Sequence, residues 1–267
     1  MKTKTLVKQH YPLFIFFGLM LLEGVFPLRK RTRRRLQRYP VNALLIAVTN
    51  LGGRIEERLA QSISPHLIAW TSGIRRQIQI PAFLSPILKL LIMDLAYYYW
   101  HRLNHRVSYF KRFHAVHHID PDLDITTASR FHIVEMLNSA LFRTIQLTLA
   151  NPSKKLRSLF DAVFRISVMF HHSNLRLPRQ LERILNFFIV TPRMHGIHHS
   201  VNPKEMDTNY SSILTIWDRL FGTLNLDVPQ RKVRIGLICF TKEKYNSPRN
   251  VFLIPFRSKR GDCRKGW

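Results

Sequence analysis

Cysteine is nearly missing from this chain: Cys239 and Cys263 are the only two in 267 residues. Two thiols cannot complete a four-cysteine zinc site or an iron–sulfur cluster by themselves, and they supply no disulfide framework. They read as ordinary thiols in a reducing compartment. Acid is scarce too. Sixteen Asp and Glu stand against 42 Lys and Arg, a net charge of +26, which calls for a polyanionic partner, either nucleic acid or an anionic membrane surface. No G-x-G-x-x-G fingerprint is present, so no dinucleotide-borne reductant is expected within the chain. There is also no strand-rich region and no strong linker. The expectation is an all-α fold in which residues 1–267 form a single domain.

What the sequence does have is apolar runs and histidine. Hydrophobic residues make up 46% of the chain. Tyr11 to Leu28 is about the length that spans a bilayer, with Glu23 as its only charge. The basic run Arg29 to Arg38 follows it at once. A signal peptide has its basic residues first and a small-residue cleavage site afterwards, so an uncleaved first membrane helix with Arg29–Arg38 on the cytoplasmic side is expected. A basic run against an apolar span favours anionic lipid over nucleic acid. Val41 to Leu51 is short and is interrupted by Gly52, Gly53 and a charged stretch. It is either a span that dips in and returns or one extended by helical residues to Leu59. Pro81 to Trp100 ends in the aromatic belt of a membrane–water interface. Ile133 to Ala150 and Leu156 to Phe170 flank the turn signal Asn151-Pro152, and both are alternatively buried soluble helices. Leu181 to Val190 is a shorter amphipathic stretch, and the 233–267 tail is basic. The architecture expected is an integral membrane helical bundle of about four membrane helices, with their polar ends gathered on the cytoplasmic face.

Thirteen histidines are present, eleven of them between His101 and His199. Positions i, i+3 and i+4 share one face of an α-helix. His101 and His105 are four apart, while His114, His117 and His118 are spaced i, i+3, i+4, and His195, His198 and His199 repeat that spacing. In each triplet the adjacent pair can serve two neighbouring metals. Eight imidazoles exceed the four that one tetrahedral ion needs, so the spacing points to two metals. Neutral imidazole suits iron, zinc and copper alike, so the ligand type does not name the metal.

Together with their flanks these residues resemble the fatty acid hydroxylase / sterol desaturase superfamily of integral-membrane, non-haem diiron oxygenases. The resemblance runs over about 94–223. Asp94-Leu-Ala-Tyr-Tyr-Tyr-Trp-His101-Arg-Leu-Asn-His105 looks like the family's first box, and Lys111-Arg-Phe-His114-Ala-Val-His117-His118 like its second. Arg130-Phe-His132-Ile-Val-Glu135 and Phe170-His171-His172-Ser173-Asn174 match two further elements. Thr191-Pro-Arg-Met-His195-Gly-Ile-His198-His199 looks like the last box, and Asn209-Tyr210 with Trp217 to Thr223 like the closing segment. Three positions depart from the pattern. Ile133 stands where proline is usual, Gly196 where arginine is common inside the box, and Ser211 where glycine is frequent.

The resemblance implies His101, His105, His114, His117, His118, His195, His198 and His199 as metal ligands, with His172 as a further one. His132 is either a tenth ligand or a partner of one, and His171 is expected to face away. Asp94, Glu135 and Asp218 are candidates to orient the ligand rings by hydrogen bonding. Asp122 and Asp124 read as solvated loop carboxylates. The implied activity is O2-dependent hydroxylation or desaturation of a lipid such as a fatty acyl chain or sterol, on two Fe ions, with electrons from a separate electron-transfer protein. A non-catalytic metal-binding membrane protein and a zinc hydrolase are the alternatives on the same histidines. A soluble nucleic-acid binder is the alternative from charge, and no nucleic-acid partner is expected.

Overall fold

The computed structural model describes residues 2–72, 80–240 and 242–257, with side chains from Tyr11 onward. Cys263 and the end of the basic tail therefore fall outside the described residues. Helix α1 (Lys2–Val25) is followed by α2 (Arg35–Trp70), α3 (Ser85–Arg106) and α4 (Ser108–His118). A 3-10 turn over Ile125–Ser129 leads to α5 (Ile133–Ala150), α6 (Lys154–His172), α7 (Arg179–Phe188) and α8 (Pro192–His198). The short α9 (Pro203–Met206), α10 (Ile216–Leu220) and α11 (Pro248–Leu253) complete the order. Among the described residues, extended pairing is limited to the isolated bridges Pro27–Leu175, Ile189–Leu214 and Ser200–Ile235. The chain is all-α, as expected.

Local chemistry sets the helix ends. Ser153 Oγ accepts from Leu156 N–H at 3.2 Å and opens α6, while Asn151, in the left-handed region at φ 41°, closes α5 just before Pro152. Thr191 caps α8, and Pro192 sits in its first turn, where no N–H is needed. α5 begins at Ile133 without the proline usual in the family, because His132 Nδ1 accepts from Val134 N–H at 3.1 Å and acts as the cap.

One reading of the apolar runs is settled by packing. Gly52 and Gly53 do not break α2, which runs unbroken for 36 residues. A Cβ at Gly52 would lie 2.6 Å from Met136 Cβ, so the glycine is there for the close approach of α2 to α5. Ala60, Met93, Leu147 and Phe160 form the core where α2, α3, α5 and α6 meet.

The polar interior corrects another expectation. Asp122 and Asp124 are buried rather than solvated. The cause is Arg38, which is buried near the start of α2. Its Nε and Nη2 donate to Asp120 at 2.6 and 2.8 Å, and its Nη1 donates to Asp124 at 2.6 Å. Asp122 instead accepts from the backbone N–H groups of Thr32 and Arg33 at 2.7 and 2.9 Å. Arg130 adds a second buried guanidinium, 3.4 Å from Asp120. Glu23 is buried and accepts from the backbone N–H groups of Asn174 and Ile125 at 2.8 and 3.2 Å. This explains a carboxylate within an apolar run.

No helix among the described residues is long and apolar enough to cross a membrane. The apolar runs are diluted by residues such as Lys89, Asp94, Arg143 and Asp161. Yet large apolar side chains stand exposed in rows, with Leu137, Leu141, Ile145 and Leu149 along α5, and Leu159, Val163 and Ile166 along α6.

Candidate metal centre

The histidines reach one place from four helices. α3 ends on His101 and His105, α4 carries His114, His117 and His118, α6 ends on His172, and α8 with its cap carries His195, His198 and His199. Their ring nitrogens fall into two groups, each with donor atoms within 4.8 Å of one another. One group is His101, His105, His114, His118 and His198, and the other is His117, His172, His195 and His199. Both adjacent pairs are split: His118 and His198 belong to the first group, His117 and His199 to the second. Rings from the two groups stay close, with His118 and His199 centroids 4.3 Å apart.

The donor set fits two metal ions. In the second group Nε2 of His172 lies 3.0 Å from Nε2 of both His117 and His195, and His195 Nε2 lies 3.1 Å from that of His199. In the first group Nε2 of His114 and of His198 are buried without a hydrogen-bond partner. Unpaired ring nitrogens converging in a dry interior are costly unless a cation takes their lone pairs.

Outer atoms fix which nitrogen faces inward. His101 Nδ1, His198 Nδ1 and His172 Nδ1 donate to the carbonyls of Tyr210, Thr208 and Val168, each at 2.8 Å. His114 Nδ1 donates to Glu135 Oε1 at 2.7 Å. These bonds hold the tautomer with the lone pair on Nε2. Asp218 works at one remove. It accepts from Tyr210 N–H and Ser211 N–H at 2.9 Å, which shapes the loop whose carbonyl holds His101. Ser211, where the family often has glycine, accepts in its turn through its hydroxyl oxygen from Asp218 N–H at 3.3 Å. Asp94 is used elsewhere: it accepts from Trp217 Nε1 at 2.8 Å and Leu214 N–H at 3.1 Å.

His132 stands in neither donor group. Its Nδ1 is spent on the α5 cap, and its ring lies among Phe113, Phe252 and Phe256. His171 does not face away. It is buried, with its ring centroid 4.2 Å from that of His195. Arg29, unremarked in the sequence beyond its basic run, reaches the last box: its Nη2 donates to Pro192 O at 2.7 Å and its Nε to Gln230 Oε1 at 3.1 Å. Its backbone is clasped by Asn174, with bonds of 3.0 and 2.9 Å.

Burial, followed by neighbouring imidazoles, pushes His101, His105, His117, His118, His171, His195, His198 and His199 well below the ordinary imidazole value. His172 falls to about 3, again through burial. Neutral rings are what a metal requires. The sign for stability follows. Below about pH 6.5 the unfolded chain binds more protons than the folded one, so stability rises with pH up to that value and is lost as pH falls. Metal-free protein should therefore show a falling thermal midpoint from pH 7 to pH 5. Each extra proton taken up on unfolding adds about 1.4 kcal/mol per pH unit to the slope. A midpoint flat across that range would contradict neutral buried rings.

Glu135→Ala should lower metal affinity about 10–100-fold by releasing His114. Glu135→Gln, which keeps an acceptor oxygen, should lower it less. Equilibrium dialysis against a chelator series measures both.

An all-helical protein with two adjoining, buried, wholly histidine donor groups belongs to the histidine-box class. Sequence comparison narrows this further: the profile of the fatty acid hydroxylase family matches residues 86–223, just over half of the chain. The protein is a member of the fatty acid hydroxylase family. Alkylglycerol monooxygenase of Danio rerio is 29% identical over 231 residues, covering 81% of this chain and 47% of the relative. Ornithine lipid hydroxylase OlsE of Rhizobium tropici is 32% identical over 159 residues, covering 60% and 47%. Cholesterol 25-hydroxylase of Homo sapiens is 25% identical over 146 residues, covering 53% and 52%. The chain spans about half the length of these relatives. No solved structure matches it.

Proposed function

We propose that the chain is a membrane-bound, O2-dependent diiron oxidoreductase that hydroxylates a lipid. The observation that carries this reading is the pair of adjoining histidine groups, one of five donors and one of four, buried where four helices meet. Iron in both groups would supply the redox activity and the oxygen activation that zinc does not provide, with the electrons drawn from a separate donor. His101, His105, His114, His118 and His198 would hold one ion, and His117, His172, His195 and His199 the other. Glu135 and the carbonyls of Tyr210, Thr208 and Val168 keep the rings turned inward. The surrounding core keeps bulk water from the site.

The named relatives act on an alkylglycerol, an ornithine lipid and cholesterol. These share an apolar body and little else, which favours a lipid without choosing among acyl, alkyl and sterol. All three names describe oxygen insertion, and hydroxylation is therefore preferred to desaturation. Membrane association is supported by the exposed apolar rows on α5 and α6. The surplus of 42 basic over 16 acidic residues suits an acidic electron-transfer protein docking on the cytoplasmic side.

Protein purified from iron-replete cells should carry one iron per donor group. It should consume O2 when given a reductant and a lipid mixture, with a hydroxylated lipid appearing in the products. Protein that carries zinc alone and is silent towards O2 when reloaded with iron would refute the reading. Alkaline carbonate extraction tests membrane integration separately.

A further inference from the structure

Helix α7 is turned inside out. Leu181, Ile184, Phe187 and Phe188 are 45%, 63%, 64% and 60% exposed, while Glu182 and Asn186 on the opposite face are each 5% exposed. Ordinary packing of an amphipathic helix buries the apolar side. Here the polar side is anchored. Glu182 accepts from the Arg193 side chain and from Arg193 N–H. The Asn186 side-chain amide donates to Met194 Sδ at 3.1 Å, and the Asn186 backbone carbonyl accepts from Thr215 Oγ1 at 3.0 Å and Arg219 Nη2 at 3.1 Å. Every one of these contacts lands on α8 or α10 or immediately beside them.

The exposed face continues past the helix. Thr215 N–H donates to Phe188 O at 3.0 Å, the Arg219 guanidinium lies 5.3 Å from the Phe187 ring centre, and Ile216, Leu220 and Phe221 are exposed beside them. Arg176, Arg179 and Arg183 are exposed at the border of this patch. At ten residues α7 is about 15 Å long, half of a bilayer's hydrocarbon thickness, so it cannot span. Apolar face outward, basic border and short length together are the properties of a helix lying in the plane of an anionic membrane surface.

We propose that α7, with Ile216, Leu220 and Phe221, is an in-plane element that seats the last histidine box against the surface of an anionic bilayer. This rests on the membrane reading only in supposing a bilayer nearby, and it adds which face meets that bilayer and how. Contact is passed on over one step, because the residues gripped by α7 (Arg193 and Met194) adjoin His195.

The test uses the full chain with Cys239 and Cys263 changed to Ser and a nitroxide on Ile184→Cys or on Arg179→Cys, an exposed position about 140° round the same helix. The protein is placed in vesicles of phosphatidylglycerol or of phosphatidylcholine. In phosphatidylglycerol the label at 184 should be relaxed mainly by O2 and the label at 179 mainly by a water-soluble nickel chelate. In phosphatidylcholine at high salt the protection at 184 should fall. Equal nickel access at both positions in phosphatidylglycerol would overturn the proposal. So would strong dipolar broadening between labels at 184, which would mean that a second copy covers the face. Carbonate extraction is run in parallel: chain released by carbonate but protected at 184 would keep this proposal while removing the spans.

Discussion

Alanine at His195 is expected to strip the four-histidine group of its metal and abolish O2 consumption, whereas alanine at His132 leaves both metals in place. The contrast follows from what each ring does. His195 Nε2 lies 3.0 Å from His172 Nε2 and 3.1 Å from His199 Nε2, and its group has only four donors. Removing one leaves three, and with them a buried void lined by rings. The loss should exceed the roughly 10–100-fold caused by removing an outer hydrogen-bond partner. His132, by contrast, spends Nδ1 on Val134 N–H. Its loss removes a helix cap and some packing against Phe113 and Phe256, about 1 kcal/mol for the cap. Metal analysis and a thermal midpoint on both variants decide the matter. His132→Ala protein as depleted in iron as His195→Ala protein would make His132 a ligand after all.

A second large effect is expected at Gly196. A Cβ there would fall 1.6 Å from Arg29 Nη2 and 2.4 Å from Arg29 Cζ, so Gly196→Ala must evict the guanidinium. Eviction breaks the guanidinium's bonds to the Pro192 carbonyl and the Gln230 amide oxygen, at a cost of about 1–3 kcal/mol. Alanine recovers about 1 kcal/mol of helix propensity, which leaves a net loss. Where the family commonly has an arginine on the box itself, this chain has a glycine and brings in the guanidinium of Arg29 from 167 positions earlier. The decisive measurement is the double-mutant cycle. Once Arg29→Ala has removed the obstruction, Gly196→Ala should be neutral or stabilising, a coupling of roughly 1–3 kcal/mol. Additive losses across the four proteins would mean that the two residues do not share this space.

The histidine centre was largely legible in the sequence because helical geometry is local. The i, i+3, i+4 spacing put the triplets on single faces and separated their adjacent members between two metals, which is how the donor groups divide. The helices over 133–150 and 154–172 were legible from their apolar runs and from Asn151-Pro152. Other features depended on contacts that no spacing records. Arg38 meets Asp124 across 86 positions, and the backbone of Thr32 and Arg33 meets Asp122 across 90 and 89, so two aspartates that look like loop carboxylates are buried. Gly52-Gly53 looks like a break because glycine is a poor helix former, but Gly52 answers the close approach of Met136. Gly196 departs from the family's pattern, and only the fold shows what fills the space above it. The inverted face of α7 was equally hidden, since periodicity reveals that a helix has two faces and not which one turns outward.

The stretch matched by the family profile begins at residue 86, but the parts that steady it begin earlier. Glu23 grips the backbone at Asn174 and Ile125, Arg29 grips Pro192, and Arg38 grips the aspartates that follow His118. A recombination event or an engineered graft cut at residue 86 would carry every histidine of both donor groups and leave these clasps behind. What can be inherited or transplanted with its clasps intact is thus longer than what the family profile matches.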